Sequence, residues 1–236
     1  MIQKSVPSSW ILSAKLACLA VATSLLAGCA GMGGGGSGNY GNTAYAPLNP
    51  DDVKVKVSLR TQNVYVEEGD RLLLGTPTCV GKTGYPTPTG QFAVIGKQKD
   101  KRSSEYGYWT DGNQARPGTS SQPTLANAHY VGYPMAFWVE FTPGFGFHEG
   151  PIWPYPRSHG CLHLHEGDVV KFWKLVHIGT PVEVAYSLPE DSKYHIDRPT
   201  DYADPDPAPS MMISSEWFDK SRPDTLTPLP STAATQ

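Results

Sequence analysis

From Val53 the chain alternates apolar and polar residues, with Val53, Val55, Val57 and Leu59 on every second position. That is the period of a strand with one face buried. Runs at residues 63–66 and 71–74 flank Glu67-Glu68-Gly69-Asp70, and a glycine inside a short polar break predicts a β-hairpin. Two more strands are predicted at residues 79–80 and 91–95, divided by residues 81–90, where glycines and prolines forbid regular pairing. Residues 135–141, rich in aromatic and apolar side chains, predict a buried strand. The stretch 97–128 is polar, glycine-containing and irregular, with Tyr106, Tyr108 and Trp109 embedded. A loop of that length is expected to be functional, as a lid would be, or else mobile. A helical period occurs at Val169, Phe172, Trp173 and Val176, with Asp168 at the start and Gly179 past the end. Val182 and Val184 supply a last strand. Strands outnumber helices, so the expected fold class is mainly β, with one short helix.

The ends of the chain follow other patterns. Residues 1–15 carry two lysines and no acid, and residues 16–26 form an apolar and small-residue run, the layout of an export signal and too short to span a bilayer. The run ends in Leu26-Ala27-Gly28-Cys29, which resembles the lipobox of bacterial lipoproteins. The resemblance implies cleavage before Cys29 and lipidation of its thiol; an ordinary signal peptide with an incidental cysteine is the alternative. Residues 1–28 are thus expected to be a lipoprotein signal and residues 29–50, rich in Gly, Asn and Pro, a lipidated flexible tether. Residues 51–188 are the expected folded domain. Residues 189–236, dominated by prolines and acids, are an expected extended or disordered tail, with Met211, Met212, Ile213, Trp217 and Phe218 available to drape over the domain.

Composition narrows the function classes. A chain of 236 residues with 39% hydrophobic content builds one core. A net charge of -3 leaves no basic excess for a phosphate backbone, so nucleic acid is not an expected partner. Setting aside Cys18 and Cys29, only Cys79 and Cys161 remain. A disulfide framework is not in view, and a Cys79–Cys161 bridge would consume the best nucleophile candidate.

The candidate chemistry lies in Phe147-His148-Glu149-Gly150 and in Arg157-Ser158-His159-Gly160-Cys161-Leu162-His163-Leu164. Backbone N–H groups of a glycine-containing turn can face a developing oxyanion, which suits Cys161 as a nucleophile. A nearby imidazole is what a thiol needs to become a thiolate. His148, His159, His163 and His165 are all near, and spacing alone does not choose among them. Zinc held by Cys161, His148, His159 and His163 is a competing arrangement, but the spacing matches none of the usual ligand pairs. Bland readings stand beside these. Cys161 as an inert buried thiol, His148 as a structural histidine, and His163 and His165 on the solvent face of a short strand alternating with Leu162 and Leu164 are each compatible with the residues.

Three matches together resemble the L,D-transpeptidase catalytic domain of the YkuD type, over roughly residues 53–186. Ser158-His159-Gly160-Cys161 is similar to its Ser/Thr-His-Gly-Cys signature, His148 to its upstream histidine, and Thr87-Pro88-Thr89-Gly90-Gln91-Phe92 to its Thr-Pro-x-Gly-x-Phe turn. The resemblance implies a β-sandwich or open barrel, Cys161 as the acylated nucleophile and His148 as its general base. It implies further that the Glu149 carbonyl holds the imidazole, and that Ser158, His159 and Gly160 shape an oxyanion turn with the Cys161 N–H. The Thr87 turn is expected to be structural. Two departures stand out: the loop 151–156, with Trp153 and Tyr155 as candidate substrate contacts, is short, and His163 replaces the usual arginine or asparagine. A histidine there would contact a stem-peptide carboxylate more weakly and with pH dependence.

The implied activity is attack of Cys161 on an L-centre, D-centre bond in a tetrapeptide stem of peptidoglycan. A thioester forms, and an amine from a neighbouring stem then resolves it, with no metal or organic cofactor. Resolution by water would make the same site an L,D-carboxypeptidase or hydrolase, and a non-catalytic, wall-binding lipoprotein is the reading from another class. Ala30 after the lipid site, rather than aspartate, favours the outer membrane if the source is Gram-negative.

Overall fold

In the computed structural model, which describes residues 41–198 and 206–228, the alternation beginning at Val53 forms β1 (Val53–Ser58). Its neighbours are β2 (Asn63–Glu68) and β3 (Arg71–Pro77), an antiparallel hairpin. The hairpin turn is tighter than the sequence implied, because Glu67 and Glu68 stay in β2 beyond a bulge at Val66/Glu67. On the other side, β10 (Pro181–Ala185) runs parallel to β1, with Val55 opposite Val182 and Val57 opposite Val184. It pairs in turn with β4 (Gly90–Ala93). The first sheet therefore has the order β3-β2-β1-β10-β4.

The second sheet has the order β6-β5-β7-β8-β9 and includes the largest departure from the expected pattern. The presumed irregular loop is mostly a long hairpin, β5 (Gly96–Thr110) with β6 (Ala115–Thr119). β5 carries polar side chains on both faces and lies between β6 and β7 (His129–Thr142). Its apolar partner is remote in sequence, so a local periodicity cannot report it. β8 (Phe145–Glu149) pairs antiparallel with β7, and β9 (Leu162–Leu164) pairs parallel with β8. Residues 79–80, expected as a strand, contribute only an isolated bridge from Cys79 to His163, and Gly81 forms another to Ser158.

A helix, α1 (Glu166–Leu175), lays Val169, Phe172 and Leu175 into a core shared with both sheets, and the Phe172 and Phe147 rings are 4.6 Å apart. It begins two residues before the expected start. His165 is the N-cap, its ring Nδ1 accepting from Gly167 N–H at 3.0 Å, so this histidine is buried rather than on a solvent face. A ring nitrogen satisfies an orphan amide of the first turn as a side-chain oxygen would.

Both flanking segments are more ordered than composition implied. Ala44 lies in the core and Tyr45 bridges Thr227, so the expected tether is held against the domain at residues 44–45, while Leu48 remains exposed. The tail forms α2 (Glu190–Lys193), α3 (Pro209–Ile213) and α4 (Glu216–Asp219), with Met212 and Trp217 buried. The expected signal segment and Cys29 lie outside the described residues.

Asp168 ties the N-terminal flank down. Fully buried in α1, its carboxylate accepts from Asn42 N–H at 2.7 Å, Asn42 Nδ2 at 2.6 Å and Thr76 Oγ1 at 2.8 Å, with Lys171 Nζ at 3.4 Å. Asp168→Ala removes the carboxylate that pairs with the buried Lys171 ammonium, leaving it the Asn42 carbonyl at 2.6 Å, and is expected to lower the unfolding free energy by roughly 3–5 kcal/mol. Breaking the exposed Lys174–Asp224 pair with Asp224→Asn should leave the urea midpoint unchanged. Equal midpoints for wild type and the Asp168 variant would refute this account.

Candidate active site

The strand pair β8/β9 assembles the candidate residues. Phe147 pairs with Leu162, His148 with His163 and Glu149 with Leu164. Paired residues of parallel strands project on the same face and neighbours alternate. Phe147, Leu162 and Leu164 therefore enter the core, while His148 and His163 share the opposite face; Cys161 immediately precedes β9, two residues before His163. The two imidazole centroids are 4.7 Å apart.

Each imidazole is pinned by a backbone carbonyl. His148 Nδ1 donates to Glu149 O at 2.7 Å and His163 Nδ1 donates to Pro151 O at 2.9 Å. Since a carbonyl only accepts, both rings carry the proton on Nδ1 and leave the Nε2 lone pair as the basic site. Trp138 and Tyr133 of β7 flank His148 at 6.0 and 6.3 Å between centroids. Gly150 gives His163 its room: a Cβ at residue 150 would sit 3.0 Å from the ring's Cγ and Nδ1.

Three tethers fix the nucleophile turn. Ser158 Oγ donates to Cys161 O at 2.6 Å and accepts from Gly160 N–H at 3.0 Å. Thr87 Oγ1 donates to Gly160 O at 2.8 Å and accepts from Gly81 N–H at 3.0 Å. Gly160 has φ +110, and a Cβ there would lie 2.6 Å from the Phe145 ring, so geometry and space both demand glycine. The Gly160 amide is already bonded to Ser158, which removes it from an oxyanion hole.

Electrostatically the site rests neutral. Burial pushes the half-buried Cys161 thiol up to about 11, against opposing help from the Gly146 amide and Lys101. Burial, then repulsion from His163, pushes His148 down to about 3 despite its bond to Glu149 O. His163 falls to about 4, again chiefly through burial. The thiol donates weakly to Gly144 O, with the sulfur 3.8 Å from that oxygen.

The remaining candidates separate. His159 stacks on Tyr106 at 4.5 Å, meets Tyr85 edge-on at 4.6 Å, and accepts from Lys82 Nζ at 3.2 Å. Burial and the Lys82 charge both lower its pKa. Trp153 is buried with Cys79 and Ile152, under the Arg157 guanidinium at 4.1 Å, and is therefore a packing residue rather than a free stacking surface. Tyr155 is exposed. Cys79 and Cys161 are both free thiols, so the bridge weighed from composition does not form.

Sequence reasoning did not single out Lys82, Tyr85, Trp138 or Tyr133 as part of the site, and it treated Thr87 as only a turn residue. The first four carry no local signal; they arrive through pairing. Thr87 had a signal in its motif, and its hydroxyl turns out to bolt the cysteine turn in place.

Comparison with known proteins identifies the family. Residues 52–184 match the YkuD family, described as the L,D-transpeptidase catalytic domain, and the chain belongs to that family. It is 25% identical over 141 residues to a Bacillus licheniformis protein assigned as L,D-transpeptidase YkuD, covering 58% of this chain and 68% of that one. Among solved structures, an L,D-transpeptidase from Mycobacterium smegmatis is 20% identical with a TM-score of 0.44, covering 57% of this chain and 58% of that one. L,D-transpeptidase 1 of Mycobacterium tuberculosis is 23% identical with a TM-score of 0.41, covering 57% and 60%. The chain thus spans less than two thirds of the length of either structure.

The buried imidazoles link stability to pH. Both have folded-state values below the ordinary 6.5, so below pH 6.5 the unfolded chain binds more protons than the folded one. Stability present above that pH is lost as pH falls towards about 4, by up to about 1.4 kcal/mol per pH unit for each ring. Urea titrations between roughly pH 7 and pH 4.5 should show this, with a shallower fall in His163→Asn. An unchanged slope in that variant would contradict the assignment.

Proposed function

We propose that this chain is a peptidoglycan L,D-transpeptidase, a cysteine acyltransferase with Cys161 as nucleophile and His148 as general base. The observation that carries the reading is a thiol in a braced glycine turn at the start of β9, with, on the adjoining strand β8, an imidazole whose Nδ1 proton is tied to Glu149 O. That tautomer leaves Nε2 free to take the thiol proton.

The stem-peptide carbonyl carbon is attacked by sulfur as the proton passes to His148. Because burial opposes both charges, proton transfer accompanies attack rather than preceding it. The oxyanion is received by the Cys161 amide, since Gly160 N–H is engaged by Ser158. The imidazolium returns its proton to the departing amine of the terminal D-residue, leaving a thioester. A stem-peptide amine from a neighbouring strand then displaces the thiol, forming the cross-link and regenerating the site. No metal or organic cofactor enters this sequence. The exposed Tyr155 and the partly buried His163 are candidate substrate contacts, while the burial of Trp153 argues against such a role.

The setting follows from the same reading. A peptidoglycan substrate calls for the cell envelope, and Leu26-Ala27-Gly28-Cys29 supports a lipid anchor on Cys29, on the outer membrane if the source is Gram-negative.

The test is intact-mass analysis of products from the full chain in detergent and purified disaccharide tetrapeptide, with Cys161→Ala as control. A cross-linked dimer is expected with wild type alone. His148→Asn should slow acylation by about 10²–10⁴-fold. Loss of the terminal D-residue without dimer would replace the proposal with an L,D-carboxypeptidase. No product from either protein would favour a wall-binding lipoprotein.

A further inference from the structure

The mechanism leaves unused a buried carboxylate next to the proposed base in the chain. The Glu149 side chain is 3% exposed, and its carboxylate accepts from Arg222 Nε at 2.5 Å and Lys220 Nζ at 3.2 Å. Both cations come from the C-terminal segment, beyond the matched residues 52–184. Arg222 is itself 2% exposed. Its Nη1 donates to Lys220 O and its Nη2 to Trp217 O, each at 2.6 Å, and its guanidinium covers the Phe137 ring at 5.3 Å. Arg102 anchors the same segment by donating to Met212 O and Ser214 O, both at 2.8 Å.

The location of this pair gives it meaning. The peptide unit joining Glu149 to Gly150 supplies the carbonyl that receives His148 Nδ1–H, and its N–H donates to Leu164 O at 3.0 Å. One side of that unit is held by β9, and the side chain at its Cα is held by Arg222. Phe137, under the guanidinium, has φ +58, a strained backbone for a bulky residue, and it directly precedes Trp138, which flanks His148.

We propose that Arg222 is a positioning residue for the general base: the C-terminal segment acts as a strap, and through Glu149 it fixes the carbonyl that orients His148. This rests on the proposed roles of Cys161 and His148. Without the guanidinium, a buried carboxylate lacks its main partner and the 149–150 peptide shifts to reach water or Lys220 alone. Small displacements of a base are costly to rate without touching the reacting atoms.

The experiment follows Cys161 in the full chain by peptide mass spectrometry. Two readouts are taken: the rate of acylation by imipenem, and the pH profile of alkylation by iodoacetamide. Arg222→Met is expected to slow acylation by about 10–100-fold and to move the alkylation profile onto that of His148→Asn. Arg222→Lys keeps the charge but not the fork that holds Trp217 O and Lys220 O, so it should fold and fall between wild type and Arg222→Met. Asp224→Asn, which loosens an exposed contact of the same segment, should match wild type in both readouts. If Arg222→Met proves unfolded, Arg222→Lys decides the matter, and a wild-type rate and profile in it overturn the inference. The same result in a folded Arg222→Met also overturns it. A wild type whose Cys161 forms no imipenem adduct, or a His148→Asn variant as fast as wild type, instead overturns the proposed catalytic roles and this inference with them.

Discussion

The parallel pairing of β8 with β9 is the constraint on which the site depends. Strands joined in parallel keep paired side chains on one face, so a single register sends Phe147, Leu162 and Leu164 into the core and sets His148 and His163 together on the opposite face, with Cys161 immediately before β9. A slip of one residue would exchange the faces, turning the imidazoles into the apolar core and the leucines towards Trp138 and Tyr133. The register is held from both sides of β9. Beyond its ladder with β8, Cys79 exchanges backbone hydrogen bonds with His163, and the Thr78 hydroxyl donates to His163 O at 2.8 Å. The apolar residues that stabilise the sheet thus also locate the chemistry.

Around that frame, buried polarity is resolved locally and by fixed partners. Both imidazoles are neutral, with their tautomers chosen by main-chain carbonyls, and the thiol rests protonated. A site of this kind holds little charge until a substrate carbonyl offers somewhere for charge to develop, which concentrates stabilisation on the reacting state. Burial makes the resting groups poor ions and at the same time makes the turn amides stronger partners for an oxyanion.

A second theme joins the flanks to the domain. Asp168 receives Asn42, Glu68 receives the amides of Leu48 and Asn49 at 3.0 and 2.6 Å, and Asp191 receives Ser58, Thr61 and Tyr65. Glu149 receives Lys220 and Arg222. Asp168, Glu68 and Glu149, inside the matched residues, each bind a segment outside them, while Asp191, outside them, binds back to the domain. Buried ion pairs contribute little net stability compared with apolar packing, yet removing one partner is costly. Such pairs specify where a polar, proline-rich segment must lie, which weak hydrophobicity could not do.

The sequence by itself determined the mainly β class, β1, β10 and most of α1, because apolar periodicity in those segments reports a face buried against the core. Its short motifs also marked Cys161, His148 and the Thr87 turn, since a nucleophile turn and a glycine with positive φ need particular residues at fixed spacing. It missed β5 and β6, whose polar residues become strands only beside β7, and it placed Trp153 at a binding surface where packing against Cys79 and Ile152 buries it. It could not tell that His148 and His163 would pair across neighbouring strands, that His165 capped α1, or that Arg222 reached Glu149 across 73 residues. Those decisions belong to the tertiary structure, because hydrogen bonds and burial depend on which strands and segments meet, and pairing over such separations leaves no local period in the chain.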